Sequence, residues 1–582
     1  MNKRDALSLN PELVILVLGY CIFLMLTITN IQYPGLSYDE TFVGMSSCNI
    51  IKYNPASKIQ EIVEYCIVTP GGKFFPMMTL AYCGSIKAYL LAPFLLLFGV
   101  NAFSLRFPLI CCAAGSIFFV YAVLKDWFGK KMALITFLFI VTNPVFIQYS
   151  RIGINREEVV QALFLWLIIF FSWKYYKSKQ TRYLFPIFFV AGLALSDKLM
   201  FIWCLFGLIT AGAIFWKKSL PLLATVLNLR PKFFIANIFL FLLGAASLIT
   251  YVLIKPSLII RILTSPIINS SETIKYFSYL QILKIRIDQL IETVKGAINN
   301  NLGLGFYPSR PDYYGFYFFV LSLIGVAGFL ILSRKYLTDI KNKIIFIFAL
   351  YAGIILAMPF VQSTEYNMGH VFIIWPFPQI TMGLFVWMFL DKFNKNKIAV
   401  LGVYALFLAV IVINLKINID YQDILKKTGG GIVRPTKTRP HCYPYSTATY
   451  DMVEYLSANM ITSPFILEGV VEYRLRLSIL FLSRNQINPV LIKLKSLSTD
   501  GLKGYFNGEP AYLILPSYDA LTQSEKEIMN DYSEIPAHMF FEKNWQRLVR
   551  KKELIKTFYS GSGEPIYSIY LINQADSIDD EI

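Results

Sequence analysis

The feature that most constrains this chain is a series of eleven apolar runs near bilayer length. They cover 11–29, 106–124, 132–148, 158–173, 183–195, 199–216, 233–254, 313–333, 344–361, 370–390 and 398–415. A helix needs about 20 mostly apolar residues to cross a hydrocarbon core. In lipid the backbone must bond to itself, which leaves the α-helix as the form for runs of this length. Composition agrees. Of 582 residues, 56% are hydrophobic and only 16% charged, against about 25% charged in soluble chains, and mean hydropathy is +0.53. Disorder, a coiled coil and a disulfide-built secreted scaffold are excluded. The expectation is a polytopic α-helical membrane protein of about eleven spans. Lys3 and Arg4 precede the first run without a small-residue cleavage pattern, so that run reads as a retained anchor.

Charge then orients the spans. The net charge of +17 would suggest nucleic acid in a soluble chain; here it reads as topology and interfacial phosphate, with no nucleic-acid partner. One alternate set of loops carries Lys3/Arg4, Lys125/Lys130/Lys131, Lys174/Lys177/Lys179/Arg182, Lys217/Lys218/Arg230/Lys232, Arg334/Lys335/Lys341/Lys343 and Lys392/Lys395/Lys397. The short loops between them hold only Arg151, Arg156 and Lys198. Basic loops stay in the cytoplasm. This register requires that 80–99 does not cross, so it is expected as a helix on the outer membrane surface, broken by Pro93. Three large segments then lie outside the cytoplasm: 30–105, 255–312 and 416–582.

Residues 1–415 thus form the transmembrane domain, with 30–105 and 255–312 as external loops, and 416–446 form a Gly/Pro/basic linker. Residues 447–582 read as a small extracytoplasmic α/β domain. Its strand-like runs are 464–471, 489–497, 511–515 and 566–572, and Thr522 with Glu525 starts a helix over 523–532. The eight cysteines show no CxxC or Cys/His zinc spacing. Cys48 and Cys66 share one external loop and could pair there.

Four short strings carry chemistry. Ser37-Tyr38-Asp39-Glu40 follows the first span. Adjacent carboxylates at a membrane face, if partly buried, split their pKa values or gather a cation or a sugar hydroxyl; otherwise they are two solvated loop charges. Arg151 to Glu158 joins the third and fourth spans. Its arginines beside Glu157 and Glu158 suit phosphate and sugar hydroxyls, or anchor two helix ends. Lys198 sits in a three-residue break between apolar runs, where a lipid phosphate or a snorkelling position would hold it. His370 opens the span that contains Pro376 and Pro378, which loosen a helix beside a cavity. Arg310, with Asp312, Tyr313 and Tyr314, forms a weaker cluster before the eighth span.

In order, the chain shows Asp39-Glu40 after the first span, a helix ending Leu95-Leu96-Leu97-Phe98-Gly99, then Ser104-Leu105-Arg106. Asn143-Pro144 with Ser150-Arg151, Gly192 to Lys198, and His370 with Pro376 and Pro378 complete the series. This order resembles the polyprenyl-phosphate-sugar-dependent glycosyltransferases of the GT-C superfamily, over roughly 11–390. That superfamily includes the dolichyl-phosphate-mannose protein mannosyltransferases and the bacterial lipid A aminoarabinose transferase. The resemblance implies Asp39 as the catalytic base or its organiser, Glu40 as its acidic neighbour, and Lys198 and Arg151 at the donor phosphate. It also implies a polyprenyl-phosphate sugar donor, a lipid, glycan or protein acceptor, and membrane lipids as partners. Two departures stand out. Arg156 occupies the position of the family's acid, with Glu157 and Glu158 next, and Tyr82-Cys83-Gly84-Ser85 replaces the family's Glu-Lys-Pro or His-Pro-Pro string.

The implied reaction is sugar transfer at the extracytoplasmic face. One carboxylate on the attacking side and no covalent step predict inversion. The sequence assigns no cofactor: a divalent cation, Mg or Mn, has a place beside Asp39 and Glu40, but the ligand count there is too low to claim one. A lipid-substrate transporter or flippase would show buried mid-span charges and paired repeats, which are nearly absent. A non-catalytic scaffold is the other rival.

Overall fold

The computed structural model describes residues 10–51, 66–69, 74–80, 83–152, 158–215, 217, 230–257, 278–295, 313–332, 338–360, 368–430, 432–433, 443–444, 447–468, 474–484, 486–493, 511–516, 552–559, 563 and 565–572. The first helices are α1 (Pro11–Ile28), α2 (Tyr38–Ile51), α3 (Ile86–Phe98), α4 (Ala102–Phe128), α5 (Lys130–Thr142) and α6 (Pro144–Arg151). They are followed by α7 (Glu158–Ser178), α8 (Leu184–Asp197), α9 (Ile202–Ile214), α10 (Pro231–Gly244), α11 (Ala246–Ile254) and α12 (Tyr279–Val294). Then come α13 (Tyr313–Leu332), α14 (Thr338–Ala357), α15 (Met368–Val371), α16 (Phe377–Lys392) and α17 (Lys397–Thr428). The protein is an integral multi-pass membrane protein.

Every expected run is helical over most of its described residues, and the count of eleven spans is not confirmed. Among the described residues, seven helices are long and apolar enough to cross, or nine if each of two bent pairs is one span. The runs at 183–195 and 199–216 form helices too short to count: α8 has 14 residues and α9 has 13. The bent pairs have local causes. α5 and α6 meet at 58° because Asn143 leaves the helix and caps the next one, accepting from Phe146 N at 2.9 Å, with Pro144 in the first turn.

α3 has 13 residues, too short to span. It buries Lys87, Ala88, Leu91 and Leu95 and exposes Leu96, Leu97 and Phe98. The expected break at Pro93 does not occur; the helix runs through it. Pro93 lies on the exposed side, where its ring meets no packed neighbour and the missing N–H is tolerated.

Contacts define two ends of the bundle. At one, Glu12 of α1 takes Lys125, Lys130 and Tyr121, and Asp126 takes Lys174 and Lys177. At the other lie the end of α1, the start of α4, the end of α6 and the end of α8. Small residues bring the helices close enough to fix these ends. A Cβ at Gly192 would stand 2.2 Å from the Phe241 carbonyl oxygen, and one at Gly244 would stand 2.3 Å from that of Phe189. α8 and α10 therefore cross backbone to backbone, which sets the height of Lys198.

The linker expected from 416 begins later. α17 has 32 residues and ends at Thr428, capped by Gly429 in the left-handed region (φ 68°). Beyond the apolar run its inner face is polar. Asn418 donates to the Thr142 carbonyl at 3.0 Å and Gln422 to the Leu26 carbonyl at 3.0 Å. These bonds hold the extension against α1 and α5.

The C-terminal unit is α/β, as expected. Small hairpins join β1 (Cys66–Val68) to β2 (Phe74–Pro76), β3 (Met78–Leu80) to β4 (Cys83–Gly84), and β5 (Ile432–Val433) to β6 (Tyr443–Pro444). The main sheet contains β7 (Phe465–Glu468), β8 (Val490–Lys493), β9 (Ala511–Pro516), β10 (Lys552–Tyr559) and β11 (Pro565–Ile572), in the order β10-β11-β9-β7-β8. β7 pairs in parallel with β8 and β9; β11 is antiparallel to β9 and β10. Helices α18 (Ala448–Ala458) and α19 (Arg474–Leu482) cover it over a core of Met452, Ile466, Ile479, Ile514, Phe558 and Ile569. The expected helix over 523–532 lies outside the described residues. β10 was not anticipated: it is an edge strand carrying Glu553 and Lys556, and such charges protect an edge while masking the alternation.

The helix crossing gives a stability test. Gly244→Val should cost about 1–3 kcal/mol or more by overpacking, seen as a lower thermal midpoint in detergent. Gly402→Val, where a Cβ meets nothing within 4 Å, should leave that midpoint unchanged.

Candidate active site

The connector between α1 and α2 is held by two buried arginines. Arg106, at the start of α4, makes a bidentate pair with Glu40: Nε to Oε1 at 2.6 Å and Nη2 to Oε2 at 2.9 Å. Its Nη1 donates to the carbonyls of Ile31 (2.6 Å), Tyr33 (3.2 Å) and Pro34 (3.0 Å). Arg151, at the end of α6, donates to the carbonyls of Leu26, Thr27 and Thr29 from Nη1 and of Asn30 and Tyr33 from Nη2, at 2.6–3.2 Å. The last carbonyls of a helix have no partner within it, and a cation there also meets the negative end of the helix dipole. Arg151 thus caps α1, with both Nη groups on backbone carbonyls.

Glu40 has a second task. Ser37 N donates to Glu40 Oε2 at 2.9 Å, and Glu40 N donates to Ser37 Oγ at 3.2 Å. Ser37 and Glu40 form a reciprocal capping box that starts α2. Asp39 sits between them in the first turn of α2 and is exposed. The two adjacent carboxylates therefore differ: Glu40 is 1% exposed and ion-paired, whereas Asp39 faces outward. A cation at this pair would meet a Glu40 whose oxygens already accept from Arg106 and Ser37. Among the described residues no group of three or more His, Cys, Asp or Glu comes together that could hold a metal.

Lys198 is built into the same end of the bundle. Its backbone bridges Cys83, so β4 pairs with the break after α8. Gly84 is required there, because a Cβ would stand 1.6 Å from the Ser196 carbonyl oxygen. Of the departing string, Cys83 and Gly84 pack against the break at 196–198. The Lys198 ammonium lies 3.2 Å from His370 Nδ1. An ammonium only donates, so Nδ1 accepts and the ring carries its proton on Nε2. His370 lies in the short α15, and the following turn Phe372–Ile374 docks by stacking, Tyr149 on Phe372 at 4.0 Å and Phe372 on Trp375 at 4.8 Å. Of the two expected proline distortions, Pro376 falls at the break before α16 and Pro378 in its first turn.

Of the expected site residues, the structure brings Lys198 to His370, and Asp39 and Glu40 to the connector that Arg106 and Arg151 hold. Glu157, the side chain of Glu158, and Arg310 lie outside the described residues. Cys48 and Cys66 form no disulfide, and burial pushes the Cys66 thiol up to about 12, which keeps it protonated. Sequence reading missed Arg106 as the partner of Glu40, although Ser37-x-x-Glu40 is a capping-box pattern visible without a structure. It also missed Lys87, which pairs with Asp197 beneath Lys198.

Residues 86–233 match the family model "Dolichyl-phosphate-mannose-protein mannosyltransferase", the stretch that contains Lys87, Arg106, Arg151 and Lys198. Along 96% of the chain and 97% of the other, the structure is similar to a crystal structure of ArnT from Cupriavidus metallidurans bound to undecaprenyl phosphate, with TM-score 0.57 and 10% identity. The overall fold is similar to that of this ArnT structure. In sequence, 137 residues are 26% identical to "Putative mannosyltransferase YkcB" of Bacillus subtilis. The match covers 22% of this chain and 19% of the length of that relative.

The two carboxylates should separate in a stability experiment. Arg106→Met leaves Glu40 charged and buried and should cost about 3–5 kcal/mol. Asp39→Asn, at an exposed position, should leave the thermal midpoint in detergent unchanged. Equal losses would contradict the assignment of Glu40 as the structural carboxylate and Asp39 as the presented one.

Proposed function

We propose that this protein is a membrane glycosyltransferase that moves a sugar from a polyprenyl-phosphate-linked donor to an acceptor hydroxyl at the extracytoplasmic face, with inversion. The observation that carries the reading is an exposed carboxylate, Asp39, on a rigidly capped helix start at the same end of the bundle as Lys198. The match to a mannosyltransferase family model and the likeness to a protein crystallised with undecaprenyl phosphate support it. The sugar and the acceptor are left open by this chemistry.

In this reading Asp39 takes the acceptor proton as the hydroxyl oxygen bonds to the anomeric carbon. The bond from that carbon to the phosphate oxygen breaks, and its electron pair leaves on the phosphate. Lys198 receives the developing charge, held in place by His370. Attack and departure on opposite sides invert the anomeric centre. Glu40, Arg106 and Arg151 act as positioning residues, because their polar atoms hold the loop that presents Asp39. The extracytoplasmic assignment rests on the basic-loop bias. The lysines that carry it, Lys125, Lys130, Lys174 and Lys177, lie at the end opposite Asp39 and Lys198.

Two measurements test this. Asp39→Asn should lower the transfer rate by about 10²–10⁴-fold with lipid-phosphate binding retained, while Lys198→Ala should chiefly weaken that binding. Full transfer by Asp39→Asn would contradict the assignment of Asp39 as the base. In a cysteine-depleted background, cysteines at Lys179 and at Met460, which is 85% exposed, should label from opposite sides of the membrane. Labelling from one side would contradict the orientation.

A further inference from the structure

Lys87 and Asp197 form an ion pair at 3.3 Å with both side chains fully buried. Gln161 Nε2 donates to the second Asp197 oxygen at 2.6 Å. The proposed chemistry does not use this pair, and a buried ion pair is a poor source of net stability. Its place is the informative part. Asp197 immediately precedes Lys198, and Lys87 lies four residues after Cys83, whose backbone bridges Lys198. The buried carboxylate therefore belongs to the residue next to the one whose ammonium the proposed function assigns to the donor phosphate. Uncompensated, it would compete with a phosphate for Lys198 and repel that phosphate, and buried charges are screened little by salt. Asp197 also accepts from Gln161 near the start of α7, which ties α7 to the end of α8. The carboxylate is thus useful to the packing and adverse to an anion.

We propose that Lys87 is a positioning residue that neutralises Asp197, so that Lys198 faces His370 and a lipid phosphate instead of its own neighbour. The inference rests on the reading of Lys198 as the donor-phosphate lysine. Its distinctive consequence is one of sign. Lys87→Met and Asp197→Asn break the same ion pair, but the first leaves a negative charge beside the site and the second a positive one.

The test measures the affinity of the purified protein for undecaprenyl phosphate in detergent, with the thermal midpoint recorded in parallel. Lys87→Met should weaken binding about tenfold or more, the scale of one charge-assisted contact. Asp197→Asn should leave binding unchanged or tighten it, and Lys87→Met/Asp197→Asn should return close to the unmodified protein. Weakening by similar factors in both single variants would overturn the proposal and leave a purely structural pair. So would a folded Lys87→Met with unchanged affinity. If Lys87→Met does not fold, Asp197→Asn and the double variant decide: tenfold weakening in either contradicts the proposal. Unchanged affinity in Lys198→Ala would instead overturn the underlying reading of Lys198. Weakened binding there with none in Lys87→Met would overturn this inference alone.

Discussion

The Arg106 guanidinium holds the rest of this site together. It reaches Glu40 through two hydrogen bonds and takes three carbonyls of the α1–α2 connector on Nη1. Arginine suits this place because its fork of fixed donors matches a carboxylate and keeps its charge when buried. Glu40 compensates the charge and, through Ser37, starts α2. One buried pair therefore fixes a loop, begins a helix and leaves Asp39 presented on the first turn. Arg151 repeats the device one helix away, sharing the Tyr33 carbonyl with Arg106. The polar backbone between two apolar helices would otherwise be unsatisfied at the membrane boundary.

Much of this was legible in the sequence. Apolar runs are long and their signal is strong, so the positions of the helices and the α/β character of the tail followed from the residues. The count of eleven spans is not confirmed among the described residues, because hydropathy records composition and cannot see where α8 stops after 14 residues. The site was legible in its strings and less so in its roles. Asp39 and Glu40 are adjacent in sequence and chemically alike, and only the capping box and a partner 66 residues away separate them. Arg151 has the residue type of a phosphate ligand, yet its geometry is that of a helix cap. Long-range pairing such as Lys87 with Asp197 leaves no local pattern to read.

The C-terminal domain is joined to this arrangement. Phe481 of α19 stands where a Cβ on Gly44 of α2 would lie at 2.6 Å, and the Tyr450 hydroxyl donates to the Gln32 carbonyl at 3.4 Å. The helix that carries Asp39 in its first turn is therefore packed between the bundle and the tail, and Gly44 allows the close approach. A rigid helix start is what a general base needs, since small displacements of a reacting group are costly.

The most direct measurement is sugar transfer itself. Purified protein in detergent is given radiolabelled polyprenyl-phosphate-linked sugars, together with lipid, glycan and protein acceptors from the same cells. The product linkage is then read by its anomeric configuration. The account predicts label moved to an acceptor hydroxyl, with the configuration opposite to that of the donor and free polyprenyl phosphate released. Transfer with retained configuration would contradict the single-carboxylate mechanism. Binding of donors without transfer to any acceptor fraction would contradict the central claim that this is an enzyme.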